Sequence, residues 1–401
     1  MNINDLQPLV TIYHRLLSNV NLDFKRYLYY KINWNTRLVA IKGSRGVGKT
    51  TMILQRIKES FYNVDEAFYV SLDNLWFKTH SLEDLVEYFY THGVINLFFD
   101  EVHKYPDWIA ILKNIYDNYP DLNIVYTGSS MLEIDYSKTD LSRRQSVYTL
   151  NGLSFREYLE YEKVLNITSI NITNLLENHV KYAIDITGKI KVLQHFDKYL
   201  QVGYYPFFKE AGDDYNMRLA EIINLVIDSD LPAVEDITFA TVQKTKKLLM
   251  IIAQSVPFIP NISQLCSQLE TTRDLCIKLM YTLHKAGILY LMSEKIKSYK
   301  QLIKPDKIFL NSTNLMYALS SNVNDGNLRE TFFANQVGNI YSLILPKIGD
   351  FLVDEKYLFE VGGKGKTFTQ IADIKHSFLA IDDIEIGNGN RIPLWMFGLL
   401  Y

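Results

Sequence analysis

Sulfur is scarce in this 401-residue sequence: its two cysteines, Cys266 and Cys276, lie close together in a stretch of helical period. So few thiols exclude a disulfide framework and a four-cysteine zinc site, and they suit reduced thiols inside a cell. Long apolar runs are missing too. None approaches the ~18 residues needed to span a bilayer, and the opening Met1-Asn2-Ile3-Asn4-Asp5 has neither the basic segment nor the apolar core of a secretion signal. The expectation is a soluble, cytoplasmic chain with no membrane partner. An excess of one charge is absent as well, because 42 Lys and Arg stand against 45 Asp and Glu, for a net charge of −3. That balance excludes an overwhelmingly basic nucleic-acid coat but leaves room for a local basic face. The 28 tyrosines are spread along the whole chain and mark no binding stripe.

Against these absences stands Gly43-Ser44-Arg45-Gly46-Val47-Gly48-Lys49-Thr50, which completes the P-loop pattern G-x-x-x-x-G-K-[ST] directly after the apolar run Leu38-Val39-Ala40-Ile41. The glycines let successive backbone N–H groups turn inward around phosphate oxygens, and the following helix presents its positive dipole end. Lys49 neutralises the β- and γ-phosphates, and the Thr50 hydroxyl is placed to ligate Mg²⁺. ATP and Mg²⁺ are therefore the expected ligands. A second signal follows some fifty residues later, where Val94-Ile95-Asn96-Leu97-Phe98-Phe99 ends in Asp100-Glu101. A buried parallel strand delivering acid to a nucleotide has this form. Asp100 would hold the metal through water, and Glu101 would polarise the water that attacks the γ-phosphate.

The length allows two or three well-packed domains. Residues 1–35 read as a helical lead-in. Between 36 and 152 strands and helices alternate: strands at 38–42, 67–72, 94–100, 123–127 and 147–150, with helices from Thr50, over 81–90 behind the capping box opened by Ser81, and over 107–118. Such alternation predicts a parallel sheet with helices on both faces and a ligand at the carboxyl ends of the strands. Tyr126-Thr127-Gly128-Ser129-Ser130 then closes the fourth strand, so Thr127 and Ser129 are candidates for a polar group beside the γ-phosphate. Leu141-Ser142-Arg143-Arg144 offers an arginine pair. Arg144 is either an arginine finger, for its own or a neighbouring subunit's phosphate, or part of a solvated surface pair.

Taken together, the Arg45-Gly46-Val47-Gly48-Lys49-Thr50-Thr51 run, the Phe99-Asp100-Glu101-Val102-His103 strand end, the Tyr126–Ser130 turn, and Leu141–Arg144 followed by Gly152-Leu153-Ser154-Phe155-Arg156-Glu157-Tyr158 closely resemble a family of bacterial and archaeal AAA+-like ATPases. The resemblance implies an α/β P-loop NTPase core of parallel strands, continued by a helical lid over 153–238, a winged helix over 239–320 and a small restriction-nuclease-like α/β domain over 321–401. For the lid, the helical period is broken at Gly203-Tyr204-Tyr205-Pro206-Phe207. For the winged helix, helices at 244–255, 262–270 and 273–284 precede strands at 288–292 and 307–310, with a loop bearing Lys295, Lys297, Lys300 and Lys304. Arg273, Lys278 and Lys285 would put charge on its third helix toward DNA, although many winged helices only pack against other domains.

In the last segment Asp350 and Glu360 resemble the paired metal-holding carboxylates of restriction-like nucleases, and Lys364 their lysine. That lysine falls four residues after Glu360 rather than two, about 13 Å away along an extended strand unless Gly362-Gly363 makes a bulge. The segment is thus either a metal-dependent nuclease site gated by ATP or a platform for docking and assembly. A protein partner or further copies of the chain stay open beside DNA, and so does a nucleotide-controlled adaptor with little turnover. The apolar ending Ile392–Tyr401 demands burial.

Overall fold

A computed structural model describes residues 3–61, 66–128, 141, 143–234, 237–255, 257–294 and 304–401. It divides into two compact units, Met1–Asn151 and Gly152–Tyr401.

The first unit is built on five short strands. They are β1 (Leu38–Lys42), β2 (Ala67–Ser71), β3 (Asn96–Asp100), β4 (Asn123–Gly128) and β5 (Ser146–Thr149), laid side by side in the order β2-β3-β4-β1-β5. Every pairing is parallel. Four of the five residues in each of β1, β2 and β3 are buried, as expected of strands covered on both faces. Helices α1 (Ile3–Asn19), α2 (Lys49–Ser60), α3 (Leu82–Thr91) and α4 (Trp108–Asn118) complete the unit. The mixed α/β core with a five-stranded parallel sheet is the one the alternating pattern predicts.

Element ends follow local chemistry. Ser81 caps α3 by accepting from the Asp84 N–H at 3.0 Å. The expected strand from Val94 starts instead at Asn96, because the Val94 N–H is spent on the Phe89 carbonyl that closes α3. Asp107 stands in the left-handed region with φ 53°, so α4 begins one residue later, at Trp108.

The second unit opens with a capping box in which Ser154 and Glu157 satisfy each other's backbone N–H, starting the helix Phe155–Tyr161. Helices Ile172–Thr187, Val192–Val202 and Tyr215–Leu225 follow. Their core is aromatic: Phe196 meets Phe155 at 5.3 Å and Phe332 at 4.8 Å between ring centroids. Next come helices Phe239–Ala253, Ile262–Leu269 and Arg273–Lys285 and an antiparallel hairpin of β6 (Leu289–Met292) and β7 (Lys307–Leu310). Arg273 and Lys278 are exposed on the third of these helices and Lys285 is half-buried. Lys295, Lys297 and Lys300 lie outside the described residues.

The last sheet runs β12-β11-β10-β9-β8, comprising β8 (Leu343–Ile344), β9 (Phe351–Val353), β10 (Tyr357–Gly362), β11 (Ser377–Ile381) and β12 (Arg391–Pro393). The β8-β9-β10 pairings are antiparallel and β10-β11-β12 parallel. Phe333, on helix Asp325–Gly338, packs its ring against Phe351 and Phe397 at 4.8 Å each. The apolar ending is buried throughout Leu394–Leu399, as its composition demands.

One fully buried side chain ties three parts of this unit together. Asn314 accepts from the Tyr204 N–H at 2.8 Å and the Tyr215 hydroxyl at 2.6 Å, and donates to the carbonyls of Tyr199 and Leu200. Asn314→Ala removes all four bonds, although the Tyr199 carbonyl keeps the Gly203 N–H and the Leu200 carbonyl keeps the Thr313 hydroxyl, and should destabilise the unit by about 2–4 kcal/mol in chemical denaturation. A loss below about 0.5 kcal/mol would show that the network adds nothing beyond packing.

Candidate nucleotide site

The P-loop is built where only glycine fits. A Cβ on Gly43 would stand 2.2 Å from the Leu150 carbonyl oxygen, and Gly46 and Gly48 take φ of 85° and 94°, so the chain can curl back before α2 begins at Lys49. Lys49, 5% exposed, donates from Nζ to the carbonyls of Gly43 at 2.9 Å and Ser44 at 3.1 Å, which sets its ammonium across the mouth of the loop. Val47 is buried, Ser44, Arg45 and Gly46 are half-buried, and Thr51 is exposed on the first turn of α2.

β4 lies between β1 and β3, so the residues leaving all three strands converge. At the centre is Asp100, 2% exposed. Its Oδ2 accepts from the Thr50 hydroxyl at 2.6 Å and the Tyr69 hydroxyl at 3.0 Å. Its Oδ1 accepts from the Thr127 hydroxyl and, at 3.2 Å, from the Glu101 N–H. Burial pushes the Asp100 carboxyl above the ordinary carboxylate range and the neighbouring Glu101 charge adds to this, while the hydroxyls of Thr127 and Thr50 and the Lys49 ammonium pull the other way. Burial and the Asp100 charge push Tyr69 far upward, so it stays a hydroxyl donor.

Glu101 follows in the left-handed region at φ 52°, a strained conformation for a non-glycine residue. Its N–H is shared between Asp100 and, at 3.4 Å, the Thr127 hydroxyl. Its Oε2 lies 3.5 Å from Nε2 of the buried His103 and 3.7 Å from Nη2 of Arg45. The strain turns the carboxylate back over the P-loop.

The sequence-predicted residues Gly43 to Thr50, Asp100, Glu101 and Thr127 thus meet in one place, and Ser129 lies outside the described residues. Arg144 is committed elsewhere: its Nε and Nη2 donate to Oδ1 and Oδ2 of Asp117 on α4 at 2.8 and 3.1 Å. That bidentate fork on a partly exposed carboxylate matches the surface-pair alternative rather than the finger.

Three contributors escaped sequence reasoning. Tyr69 and His103 are ordinary core residues by pattern, and only the register that sets Ser71 beside Asp100 brings Tyr69 within reach. Arg26, 4% exposed, donates to the Val47 carbonyl at 2.5 Å and the Asn151 carbonyl at 2.7 Å, clamping the loop from the lead-in segment. With Lys25 before it and Tyr27 after it, nothing in its own stretch of sequence sets it apart from other basic residues.

The second candidate site differs from expectation. Asp350 accepts from the Val361 N–H at 2.8 Å, and Glu360 is 1% exposed. The lysine beside Glu360 is Lys366, whose Nζ lies 3.4 Å from Oε2, whereas Lys364 is exposed and uses its carbonyl to accept from Arg391. The cause is a turn over Gly363–Lys366, closed by the Lys366 N–H on the Gly363 carbonyl at 3.0 Å, that sends Lys366 back over the strand, where a Cβ on Gly362 would stand 2.8 Å from the Lys366 Cβ. Nearby Glu330 is paired with Lys307. Burial pushes its carboxyl upward against the pull of that ammonium. Among the described residues no three His, Cys, Asp or Glu side chains form a metal-holding group, and no helix is long and apolar enough to cross a membrane.

Residues 35–159 match the model of a family described as an AAA domain. Over that stretch the chain is similar to an AAA domain. It is similar to two proteins of Methanocaldococcus jannaschii, the uncharacterized protein MJ1637 (28% identical, covering 94% of this chain and 88% of that one) and the uncharacterized protein MJ1544 (22% identical, 88% and 81%). Among solved structures, AMPPCP-bound DnaA from Aquifex aeolicus is 13% identical with a TM-score of 0.26 over 69% of this chain and 87% of that one. The S. cerevisiae Hsp104-ADP complex is 15% identical with a TM-score of 0.29 over 67% and 42%. Likenesses at that level carry neither fold nor function across.

Because Arg26 holds the loop and not the ligand, Arg26→Gln should weaken binding of ADP and of a non-hydrolysable ATP analogue alike, by about tenfold. Arg26→Lys should recover only part, since one ammonium lacks the fork that spans two carbonyls. Unchanged affinities in calorimetry would show that the loop keeps its shape without the clamp.

Proposed function

We propose that the chain is a Mg²⁺-dependent ATP hydrolase acting as a molecular switch or motor, with the second unit as effector on a nucleic acid or a protein partner. The observation that carries this reading is the contact between the Thr50 hydroxyl and the Asp100 carboxylate at 2.6 Å. A hydroxyl at the start of the P-loop helix and a buried carboxylate are hard oxygen donors of the kind magnesium takes. That pair would hold the ion, which when bound neutralises charge on the β- and γ-phosphate oxygens.

The chain's own residues supply the rest. Backbone N–H groups of the loop receive phosphate oxygens, and Lys49 exchanges the carbonyls of Gly43 and Ser44 for the β- and γ-phosphates. Thr127 and Tyr69 hold Asp100 in place. Glu101 accepts a hydrogen bond from the attacking water and draws off its proton as the oxygen bonds to phosphorus and the bond to ADP breaks. Loss of the γ-phosphate removes contacts that order the loop, which is how such domains pass a signal to an effector. The three helices and hairpin between Phe239 and Leu310 suit a winged helix, with Arg273 and Lys278 offered to phosphates. The second carboxylate site keeps a lysine beside Glu360, Lys366, which leaves an ATP-gated nuclease as the alternative to docking.

Lys49→Ala should cost at least a hundredfold in ATP affinity, as one charge-assisted phosphate contact in a buried site is worth about 3 kcal/mol. Glu101→Gln should keep ATP bound and slow release of inorganic phosphate by about 10²–10⁴-fold. A Glu101→Gln protein that turns ATP over like the parent would place the water-polarising group elsewhere.

A further inference from the structure

Arg45 occupies a position the P-loop pattern leaves unspecified, and the structure gives it a partner. Nη2 lies 3.7 Å from the Glu101 Oε2, an approach longer than a hydrogen bond. The other terminal nitrogen, Nη1, is buried and has no hydrogen-bond partner among the described residues. A buried guanidinium nitrogen left unpaired costs free energy and is rare, so this fork is half engaged and half open. Its open prong belongs to the same loop that receives the phosphates. Arg144, which the sequence offered for contact with the γ-phosphate, has its fork on Asp117.

On the carboxylate side, Glu101 is held between two groups, Arg45 and His103, and its strained backbone keeps it there. Phosphate matches a guanidinium fork better than a single carboxylate oxygen at 3.7 Å does, and it carries more charge. Lys49 differs in kind: a point charge at the loop mouth serves β- and γ-phosphate together.

We propose that Arg45 is the γ-phosphate reader of this site and a latch on Glu101. A nucleoside triphosphate draws the guanidinium off the carboxylate, so that Glu101 keeps its contact with His103 and can engage water. A nucleoside diphosphate offers no such group, and the latch stays closed. This inference rests on the ATPase reading above and adds to it the residue that separates the triphosphate from the diphosphate.

The test is equilibrium binding of ADP and of a non-hydrolysable ATP analogue, each with Mg²⁺, to the full chain and to Arg45→Gln and Arg45→Lys. Arg45→Gln should bind ADP as the parent does and lose about ten- to a hundredfold in affinity for the ATP analogue. Arg45→Lys should fall between, since it keeps the charge but not the fork. Retained ADP binding also certifies that the variant is folded. An equal loss for both nucleotides would make Arg45 a general P-loop contact and overturn the proposal, as would no loss for either. If the parent itself takes up neither nucleotide, the ATPase reading falls and the latch with it.

Discussion

The structure of the first unit turns on a buried carboxylate. Asp100 sits at the end of a central strand with almost no access to water, where an ion is costly unless it is hydrogen-bonded. The cost is offset by hydroxyls from three elements, Thr50 on α2, Tyr69 on β2 and Thr127 on β4, together with the Glu101 N–H. Each of these must be in place for the others to make sense. The parallel register, the loop that starts α2 and the strand order thus come together around one buried acidic group.

The other features serve this node. Gly43 lets the loop pass under the Leu150 carbonyl, and Arg26 ties the Val47 and Asn151 carbonyls together. Without these the Thr50 hydroxyl has no reason to face Asp100. Glu101 accepts an unfavourable backbone so that its carboxylate turns toward the loop, which is the kind of strain that persists only where surrounding contacts over-determine it. The cation on its far side, Arg45, comes from the loop itself, so the P-loop and the carboxylate that follows β3 are in contact.

Much of this was legible in the residues. Leu38–Lys42 and Lys307–Leu310 are strands with the bounds their patterns suggest, and the P-loop glycines dictate the turn that follows. Local rules suffice there because neighbours in sequence decide the outcome. They fail where the partner is distant: nothing near Arg26 or Tyr69 announces the Val47 carbonyl or Asp100, and nothing near Arg144 announces Asp117. Lys364 illustrates a third case. Strand period put it about 13 Å beyond Glu360, but the chain turns over Gly363–Lys366 and Lys366 arrives instead, since a glycine-rich stretch leaves the backbone direction undetermined by any side-chain preference.

The central claim is that the Thr50 and Asp100 oxygens form one cation-holding pair with the phosphate cradle. Calorimetric titration of ATP into the full chain, with Mg²⁺ and with a chelator, tests it most directly when run beside Thr50→Val, which removes one hydroxyl and keeps the shape. The account predicts tight, saturable binding that Mg²⁺ strengthens in the parent, and residual binding that Mg²⁺ no longer strengthens in the variant. Equal magnesium dependence in the two proteins, or no saturable uptake by the parent, would contradict it.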